Sequence, residues 1–351
     1  YDLGPLLDLY IETLNAISGE AGDGFIGARY KPAIYIQNRQ EFIEKYGADL
    51  DESDLQTAQT NLANFMRKLL VMRFESSKYA FESTLNKMIQ TNELVERWWN
   101  DLGKVPIMKK GQIPDTEDFS QEDGEDGNKL DEQLDELREQ KGLIAIPKEM
   151  LDPKFIADVM HDTQILKRIQ SKWFGDSEFR NDDPKSDDLA RRIHALIEEN
   201  PSRKVVVFSG YADTVNYLFD ALKQRGVDRI FKYTAGDASP ASRKLIKEEF
   251  DASHPLDQQT NDFDILLATD ALSEGFNLHR AGVIINYDIP YNPTRVIQRV
   301  GRINRINKKV FDTLYVYNSF PTAIGEAETR VKQVSTLKMS LINSIVGSDT
   351  K

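Results

Sequence analysis

Cysteine is absent from this 351-residue sequence, which excludes disulfide bonds, thiolate metal sites and cysteine nucleophiles. Long apolar runs are also missing, because no segment approaches the roughly 20 apolar residues that a membrane helix requires. Histidine is scarce, and none of the four histidines has the spacing of a metal-ligand motif. We therefore expect a cytoplasmic protein, with no membrane partner and no histidine or cysteine metal site.

The net charge of −12 is the opposite of the basic footprint that is typical of nucleic-acid-binding proteins. Much of the acidic excess is local, since residues 101–142 contain 13 acidic and 6 basic side chains. Whole-chain charge is therefore a poor guide to the partners of this protein. The composition, with 40% hydrophobic and 29% charged residues, is that of a globular protein with one large domain or two smaller ones.

The composition of the sequence and the spacing of its apolar residues change along the chain. Residues 48–102 contain neither glycine nor proline, and their apolar residues recur at helical spacing. The next segment is acidic and poor in large apolar residues, which is typical of a mobile linker or insertion. We predict four regions: a helical region (1–110), an acidic linker (111–142), a helical bridge (143–202) and an α/β domain (203–351).

Five apolar runs in the last region predict β-strands, at 205–209, 230–234, 263–269, 282–289 and 313–320. Helical patterns separate the strands, and two of them begin with a capping residue followed by proline, Ser239-Pro240 and Asn292-Pro293. We expect the second of these helices to run to about Lys308, and a last helix over 324–345. The alternation predicts an α/β fold, a doubly wound parallel sheet covered by helices on both faces.

Polar residues and glycines follow the predicted strands, where ligands bind in open parallel sheets. The residues at these strand ends are Ser209, Gly210, Thr234, Gly236, Thr269, Asp270 and Asp288. Loops occur at this edge in every α/β domain, so this pattern alone only suggests a binding site.

The segment 295–309 carries six basic residues and no acidic residue. On a helix, Gln298, Arg302 and Arg305 are spaced four and then three residues apart, so they form one stripe. Gly301 would keep the helix narrow beside Arg302, at a cost of about 1 kcal/mol in helix propensity. A solvated helix face normally mixes charges of both signs. The uncompensated stripe therefore predicts an anion site, most simply for phosphate.

Three segments of the last region resemble the motifs of superfamily-two helicases and translocases. QRVGRINR (298–305) resembles motif VI, LLATDALSEGFNL (266–278) resembles motif V, and KVVVFSG (204–210) resembles motif IV. The GFNL and VIINYDIPYNP steps are similar to those of Swi/Snf-type ATPases. Upstream, MRKLLVMRFESSKYAF (66–81) resembles, more weakly, an arginine-bearing helical block of bacterial Swi/Snf-like proteins.

The resemblance implies a RecA-like fold for residues 203–351 and assigns roles to individual residues. Arg302 and Arg305 would be arginine fingers that reach the γ-phosphate of ATP on another lobe, and Gln298 would orient them. Gly275 and Asn277 would lie against the nucleotide. The residues implied to contact the nucleic-acid backbone are Ser209, Gly210, Thr234, Gly236 and Thr269. Glu274 departs from the small or basic residue of many relatives, so a nucleotide contact there is not expected.

The phosphate-binding half of such a motor is missing from the sequence. The only Gly-Lys pair, Gly103-Lys104, is followed by valine and is not a GxxxxGK[ST] loop. The acidic DESD at 51–54 follows no apolar strand and is typical of a helix start. We therefore expect ATP and Mg²⁺ to be held mainly by an N-terminal RecA-like lobe before Tyr1. Residues 1–351 alone should not turn over ATP.

Three functional interpretations follow. The leading one is the second motor lobe of a translocase on double-stranded DNA, nucleoid-associated when bound, with protein or DNA contacts through residues 1–182. The second is an RNA or DNA strand-separating helicase of another branch, for which RNA would be the partner. The third is a non-catalytic interaction scaffold, which has no reason to retain an uncompensated arginine stripe.

Overall fold

The computed structural model describes residues 2–18, 24–47, 55–108, 143–176, 180–273, 275–290, 292–304 and 310–322. The chain divides into two compact units. The helical unit consists of Leu6–Val71 and Glu82–Arg180. The sheet unit consists of Tyr1–Pro5, Met72–Phe81 and Asn181–Lys351, so three separate stretches of sequence build it.

The helical unit contains most of the long helices predicted between residues 48 and 102. Its helices are α1 (Leu7–Ser18), α2 (Arg39–Tyr46), α3 (Leu55–Ser76), α4 (Lys78–Arg97) and α5 (Lys154–Phe174). The last turn of α3 and the first turn of α4 belong to the sheet unit, and the two helices are separated at Ser77. No helix in the described ranges is both long and apolar enough to span a membrane.

The prediction of a purely helical bridge over 143–202 is wrong at its start. Strand β1 (Lys104–Met108) pairs antiparallel with strand β2 (Leu143–Pro147). Val105 and Ile146 face each other in this hairpin and both are fully buried. The next helix, α5, begins only at Lys154, because Pro147 and Pro153 interrupt the backbone hydrogen bonding that a continuous helix would need.

A buried carboxylate orders the chain before the first strand of the helical unit. Asp162 on α5 accepts hydrogen bonds from the backbone N–H groups of Ile26, at 2.6 Å, and Ala28, at 2.9 Å. Between them lies Gly27, whose φ of +71° is in the left-handed region that favours glycine. Burial raises the pKa of Asp162 to about 6, although the backbone hydrogen bonds act in the opposite direction.

The sheet unit contains the predicted parallel sheet, and all five predicted strands are confirmed. The strands are β3 (Lys204–Phe208), β4 (Ile230–Tyr233), β5 (Ile265–Ala268), β6 (Ala281–Asn286) and β7 (Tyr315–Asn318). Their order in the sheet is β4-β5-β3-β6-β7, and every neighbouring pair is parallel. The fold is therefore of the α/β class.

Helices cover both faces of this sheet. They are α6 (Pro184–Glu199), α7 (Ala212–Gln224), α8 (Pro240–Phe250) and α9 (Pro293–Ile303). Along β3, Val205 and Val207 pack with residues of α6 and α7, whereas Val206 and Phe208 pack with residues of α8 and α9. This alternation is the period of two that a strand buried on both faces requires.

The predicted caps of α8 and α9 are confirmed. Ser239 accepts a hydrogen bond from the Ser242 N–H, and Asn292 accepts one from the Thr294 N–H. Helix α9 ends at Ile303, before the predicted end near Lys308. The predicted last helix over 324–345 lies outside the described residues.

Candidate functional site

The carboxyl ends of the strands lie together at one edge of the sheet. The Ser209 N–H donates to the Ala268 carbonyl at 3.1 Å, and the Thr269 N–H donates to the Tyr233 carbonyl at 3.2 Å. On the other side of β3, the Tyr287 N–H donates to the Phe208 carbonyl at 2.9 Å. The residues that follow β3, β4, β5 and β6 are thus neighbours, as the sequence predicted.

Two arginines of α9 are paired with an acidic residue from the loop after β5. The fully buried Arg299 donates from Nε to Asp270 at 2.7 Å and from Nη1 to Asn286 at 2.6 Å. Its guanidinium carbon lies 4.8 Å from the centre of the Phe208 ring. Arg295 donates to the other oxygen of Asp270 at 2.8 Å. The expectation of a wholly uncompensated basic segment is therefore wrong, because Asp270 compensates it through space rather than along the helix.

Arg302 has a different environment on the same helix. It is half-buried, and its Nη1 donates only a long hydrogen bond of 3.4 Å to the Phe276 carbonyl. Its buried Nε has no hydrogen-bond partner among the described residues. In the described part of α9, the ion pairs involve Arg295 and Arg299 but not Arg302. Arg302 therefore retains a cationic group with donor capacity that this unit does not use.

The neighbours of Arg302 on α9 are exposed. Gln298 and Gly301 are both open to solvent, and a Cβ at Gly301 would meet no atom within 4 Å. Packing within the sheet unit therefore does not explain the glycine. Arg305, the second residue of the predicted pair, lies outside the described residues.

The two residues assigned to the nucleotide lie in the segment between β5 and β6. Gly275 is exposed and has a φ of +86°, which a residue with a side chain rarely adopts. The Asn277 side chain donates to Asp251 at 3.3 Å. Glu274 lies outside the described residues.

Ser209 and Gly210 are both bound to Asp288, which follows β6. The Ser209 hydroxyl, in a side chain that is 1% exposed, donates to Asp288 Oδ2 at 2.5 Å. The Gly210 N–H donates to Asp288 Oδ1 at 2.6 Å. In this arrangement the serine hydroxyl is occupied, and the exposed Gly210 is the more accessible of the two groups.

The other residues predicted to contact nucleic acid are partly engaged in local structure. The Thr234 hydroxyl donates to Asp237 at 2.7 Å, and Asp237 in turn accepts from the Thr234 N–H. The Thr269 side chain is mostly buried. Gly236 is exposed, and its backbone is the most accessible of the three.

A cavity of about 330 Å³ lies at the same edge of the sheet unit, lined by residues that include Glu75, Lys185, Asp288 and Arg295. The Lys185 ammonium donates to the carbonyls of Glu75, at 2.6 Å, and Ser76, at 3.1 Å. Burial lowers the pKa of Lys185, whereas the charges of nearby carboxylates act to raise it.

The sequence reasoning missed three features of this edge: the Asp270–Arg299 pair, the role of Asp288 and the contribution of residues 73–77. Asp270 and Asp288 were visible as polar residues after strands, but their partners are distant in sequence. Their position after apolar strands was the only signal available.

This edge, with basic helix α9 beside parallel strands, is the arrangement expected of a helicase motor lobe. Residues 188–307 match the family described as helicase conserved C-terminal domain. The resemblance to superfamily-two helicases inferred from motifs IV, V and VI is thereby confirmed.

Several known proteins are similar to this chain. An uncharacterized ATP-dependent helicase, YqhH of Bacillus subtilis, is 30% identical over 145 residues, which are 41% of this chain and 23% of that protein. The human DNA repair and recombination protein RAD54B is 29% identical over 45% of this chain and 16% of its own length. The ATP-dependent RNA helicase RhlB of Shewanella amazonensis is 27% identical over 42% of this chain and 32% of its length.

Among solved structures, the C-terminal part of the Fun30 ATPase domain is similar, with a TM-score of 0.41 and 14% identity. That match covers 94% of this chain and 84% of the other. In sequence, this chain aligns with less than a third of YqhH and RAD54B and about a third of RhlB.

Proposed function

We propose that this chain supplies the second motor lobe of an ATP-dependent nucleic-acid translocase. The observation that carries the proposal is the contrast on α9 between Arg299, which is fully buried and paired with Asp270, and the half-buried Arg302, which has no ion pair among the described residues. An interaction scaffold would have no reason to retain this arginine, because a half-buried guanidinium without an anionic partner lowers the stability of the fold. In the proposed motor, Arg302 and Arg305 stabilise the charge that develops on a transferred phosphate, and exposed Gln298 orients them.

The residues present fit a nucleotide phosphate. Among the described residues, the half-buried Arg302 guanidinium makes one long hydrogen bond, from Nη1, so a phosphate would accept further hydrogen bonds from its Nη groups. Gly275, with its positive φ and open surroundings, allows a close approach of backbone to ligand. Asn277 would lie beside it. ATP supplies the free energy of the motor; its phosphates and Mg²⁺ would be held mainly by a first lobe, since these 351 residues contain no GxxxxGK[ST] loop.

In the proposed motor, the same sheet edge would contact the nucleic acid along which the protein moves. Gly236 is exposed and can offer its backbone N–H group, and such groups bind phosphate oxygens without reading bases. Gly210 is also exposed, but its N–H donates to Asp288, so it would contact the nucleic acid by letting the backbone approach closely. Ser209, Thr234 and Thr269 would support these loops. Duplex DNA is the partner we favour, because the GFNL and YNP steps resemble those of Swi/Snf-type ATPases. The similarity to RhlB, named as an RNA helicase, makes RNA the alternative.

The test is the ATPase rate of the full-length protein with duplex DNA, single-stranded RNA or no nucleic acid. We expect duplex DNA to stimulate hydrolysis. Arg302→Ala should lower kcat by about 10³-fold or more, since removal of an arginine finger costs about 10³–10⁵. Arg302→Lys should rescue little, because lysine cannot reproduce the planar fork of guanidinium.

Arg191→Ala is the matched control, since Arg191 is an exposed arginine on α6 whose ion pair is with Asp188. Its kcat should equal that of the wild type. A full rate in Arg302→Ala would contradict the finger assignment, and stimulation by RNA alone would replace DNA as the partner. Residues 1–351 alone should show no hydrolysis above background.

A further inference from the structure

The segment Arg73–Ser77, which we call the 73–77 joint, belongs to the sheet unit and consists of the last turn of α3 and Ser77, which separates α3 from α4. It is part of the upstream sequence block that resembles bacterial Swi/Snf-like proteins, and none of the roles proposed above uses it. Its side chains nevertheless make specific contacts with the carboxyl edge of the sheet. Arg73 forms a bidentate ion pair with Asp213 at the start of α7, and its guanidinium carbon lies 4.6 Å from the centre of the Tyr211 ring.

Two further side chains fix the joint to other strand ends. Glu75 accepts hydrogen bonds from Thr322 after β7, including one of 2.8 Å from the hydroxyl group. Ser76 is fully buried, and its hydroxyl donates to Asp288 Oδ2 at 2.9 Å. The Ser76 oxygen also lies 3.0 Å from the Thr214 hydroxyl.

Asp288 therefore accepts three hydrogen bonds from two parts of the chain. Its Oδ2 receives the hydroxyls of Ser76 and Ser209, and its Oδ1 receives the Gly210 N–H. The first donor comes from the joint, and the other two come from the loop after β3. Asp288 also lies just before the residues that lead into α9.

We propose that Asp288 is a positioning residue for the loop Ser209–Tyr211, and that Ser76 of the 73–77 joint fixes Asp288 in the orientation this requires. This inference rests on the proposed function, in which Gly210 contacts the nucleic-acid backbone. Because Ser76 is fully buried, it cannot contact the nucleic acid itself, and its effect on the loop passes through its partners.

The physical basis is preorganisation. A glycine-containing loop that is already fixed loses less conformational freedom when a phosphate binds than a loop that must first be ordered. Loss of the Ser76 hydrogen bond should therefore weaken nucleic-acid binding while leaving the chemical step, which depends on α9 and the other lobe, unchanged.

Ser77 offers a matched control. It has the same chemistry and is the next residue, and its hydroxyl lies 2.9 Å from that of Thr214. It caps the first turn of α4 by accepting from the Ala80 N–H at 3.1 Å, and none of its hydrogen bonds involves Asp288. Ser77→Ala thus perturbs the joint without removing a hydrogen bond to Asp288.

The experiment compares Ser76→Ala and Ser77→Ala in the full-length protein. The measured quantities are the duplex DNA concentration for half-maximal ATPase stimulation and the rate at saturating DNA. We expect Ser76→Ala to raise the half-maximal concentration about 5–10-fold, as the loss of one ordinary hydrogen bond implies, with a maximal rate within twofold of wild type. Ser77→Ala should leave the half-maximal concentration unchanged. Equal shifts in the two variants would overturn the proposal.

A second readout does not depend on nucleic acid. Amide hydrogen exchange of the loop containing Gly210 should accelerate in Asp288→Ala and Ser76→Ala, because the Gly210 N–H loses its fixed acceptor. Asp288→Asn, which retains one acceptor oxygen, should restore much of the protection, and Ser77→Ala should match wild type. If exchange follows this pattern but no nucleic acid stimulates the wild type, the proposed function fails and the positioning of the loop stands. Unchanged exchange in Asp288→Ala would overturn the positioning itself.

Discussion

At the scale of single residues, the chemistry of helix α9 depends on what each arginine meets across space. Arg299 is fully buried and shares Asp270 with Arg295, so its charge serves to attach the helix to the sheet. Arg302 faces no such partner in the described part of the helix, and its charge remains available for a ligand. Two arginines on the same helix thus have opposite roles.

Asp270→Ala should destabilise the sheet unit strongly. The substitution leaves the buried Arg299 guanidinium with only Asn286 as a side-chain acceptor. Removing one partner of a buried pair costs about 3–5 kcal/mol, which urea unfolding of the protein would measure. The control is Asp188→Ala, which breaks a surface pair with Arg191 and should cost at most about 1 kcal/mol. Equal losses in the two variants would contradict the structural role of Arg299.

Asp162 should make the helical unit less stable as pH rises. Its pKa is about 6 in the folded state, against an ordinary value of 3.8, so the folded state holds the proton more tightly than the unfolded state. The contribution is fully present below about pH 4 and is lost as the pH rises through about 6, by up to about 3 kcal/mol.

Unfolding free energies of wild type and Asp162→Asn between pH 4 and 7 would measure this effect. The difference between the two proteins should shrink as pH rises, because asparagine does not titrate. A pH-independent difference would show that Asp162 titrates with an ordinary pKa.

At the scale of secondary-structure elements, apolar periodicity and caps were sufficient to predict most of the sheet unit. The run Val205–Phe208 is fully buried on both faces, and such runs are distinctive in sequence. Strands β1 and β2 were missed because their pairing joins positions separated by the long acidic segment, and each strand alone is only five residues. The Asp270–Arg299 and Asp288–Ser76 contacts were missed for the same reason, since they join residues far apart in sequence.

Two glycine-to-alanine substitutions should have opposite effects on stability. Gly226, after the end of α7, has a φ of +73° and open space around its Cβ position, so alanine there costs about 1 kcal/mol through backbone strain alone. Gly301 lies within helix α9 and is equally open, so alanine should stabilise the protein by up to about 1 kcal/mol.

Thermal unfolding of the two variants would measure both changes. In the full-length protein, Gly301→Ala should also lower DNA-stimulated ATPase activity despite its greater stability, because the exposed face with Gln298 would no longer admit a close neighbour. A stabilised variant with full activity would contradict a contact at this face.

At the scale of the whole molecule, the acidic net charge does not oppose a nucleic-acid function. The acidic excess of residues 101–142 is separated in sequence from the residues of the candidate site, which lie at one edge of the sheet unit. Binding there would depend on backbone N–H groups and on a few arginines, for which the sum of charges over the chain is not informative.

The sheet unit is not continuous in sequence, and this affects how chimeric proteins should be made. Residues 72–81 are far upstream of Asn181, yet they belong to the same unit, where Glu75, Ser76 and Arg73 bind residues of three different loops and helices. A graft that exchanges the upstream helices with those of a relative would separate these side chains from their partners. Crossover points placed at Leu6, Val71, Glu82 and Arg180 would instead transfer the helical unit intact. The hydrogen bonds that join Ser76, Asp288 and Gly210 would then stay in their own background.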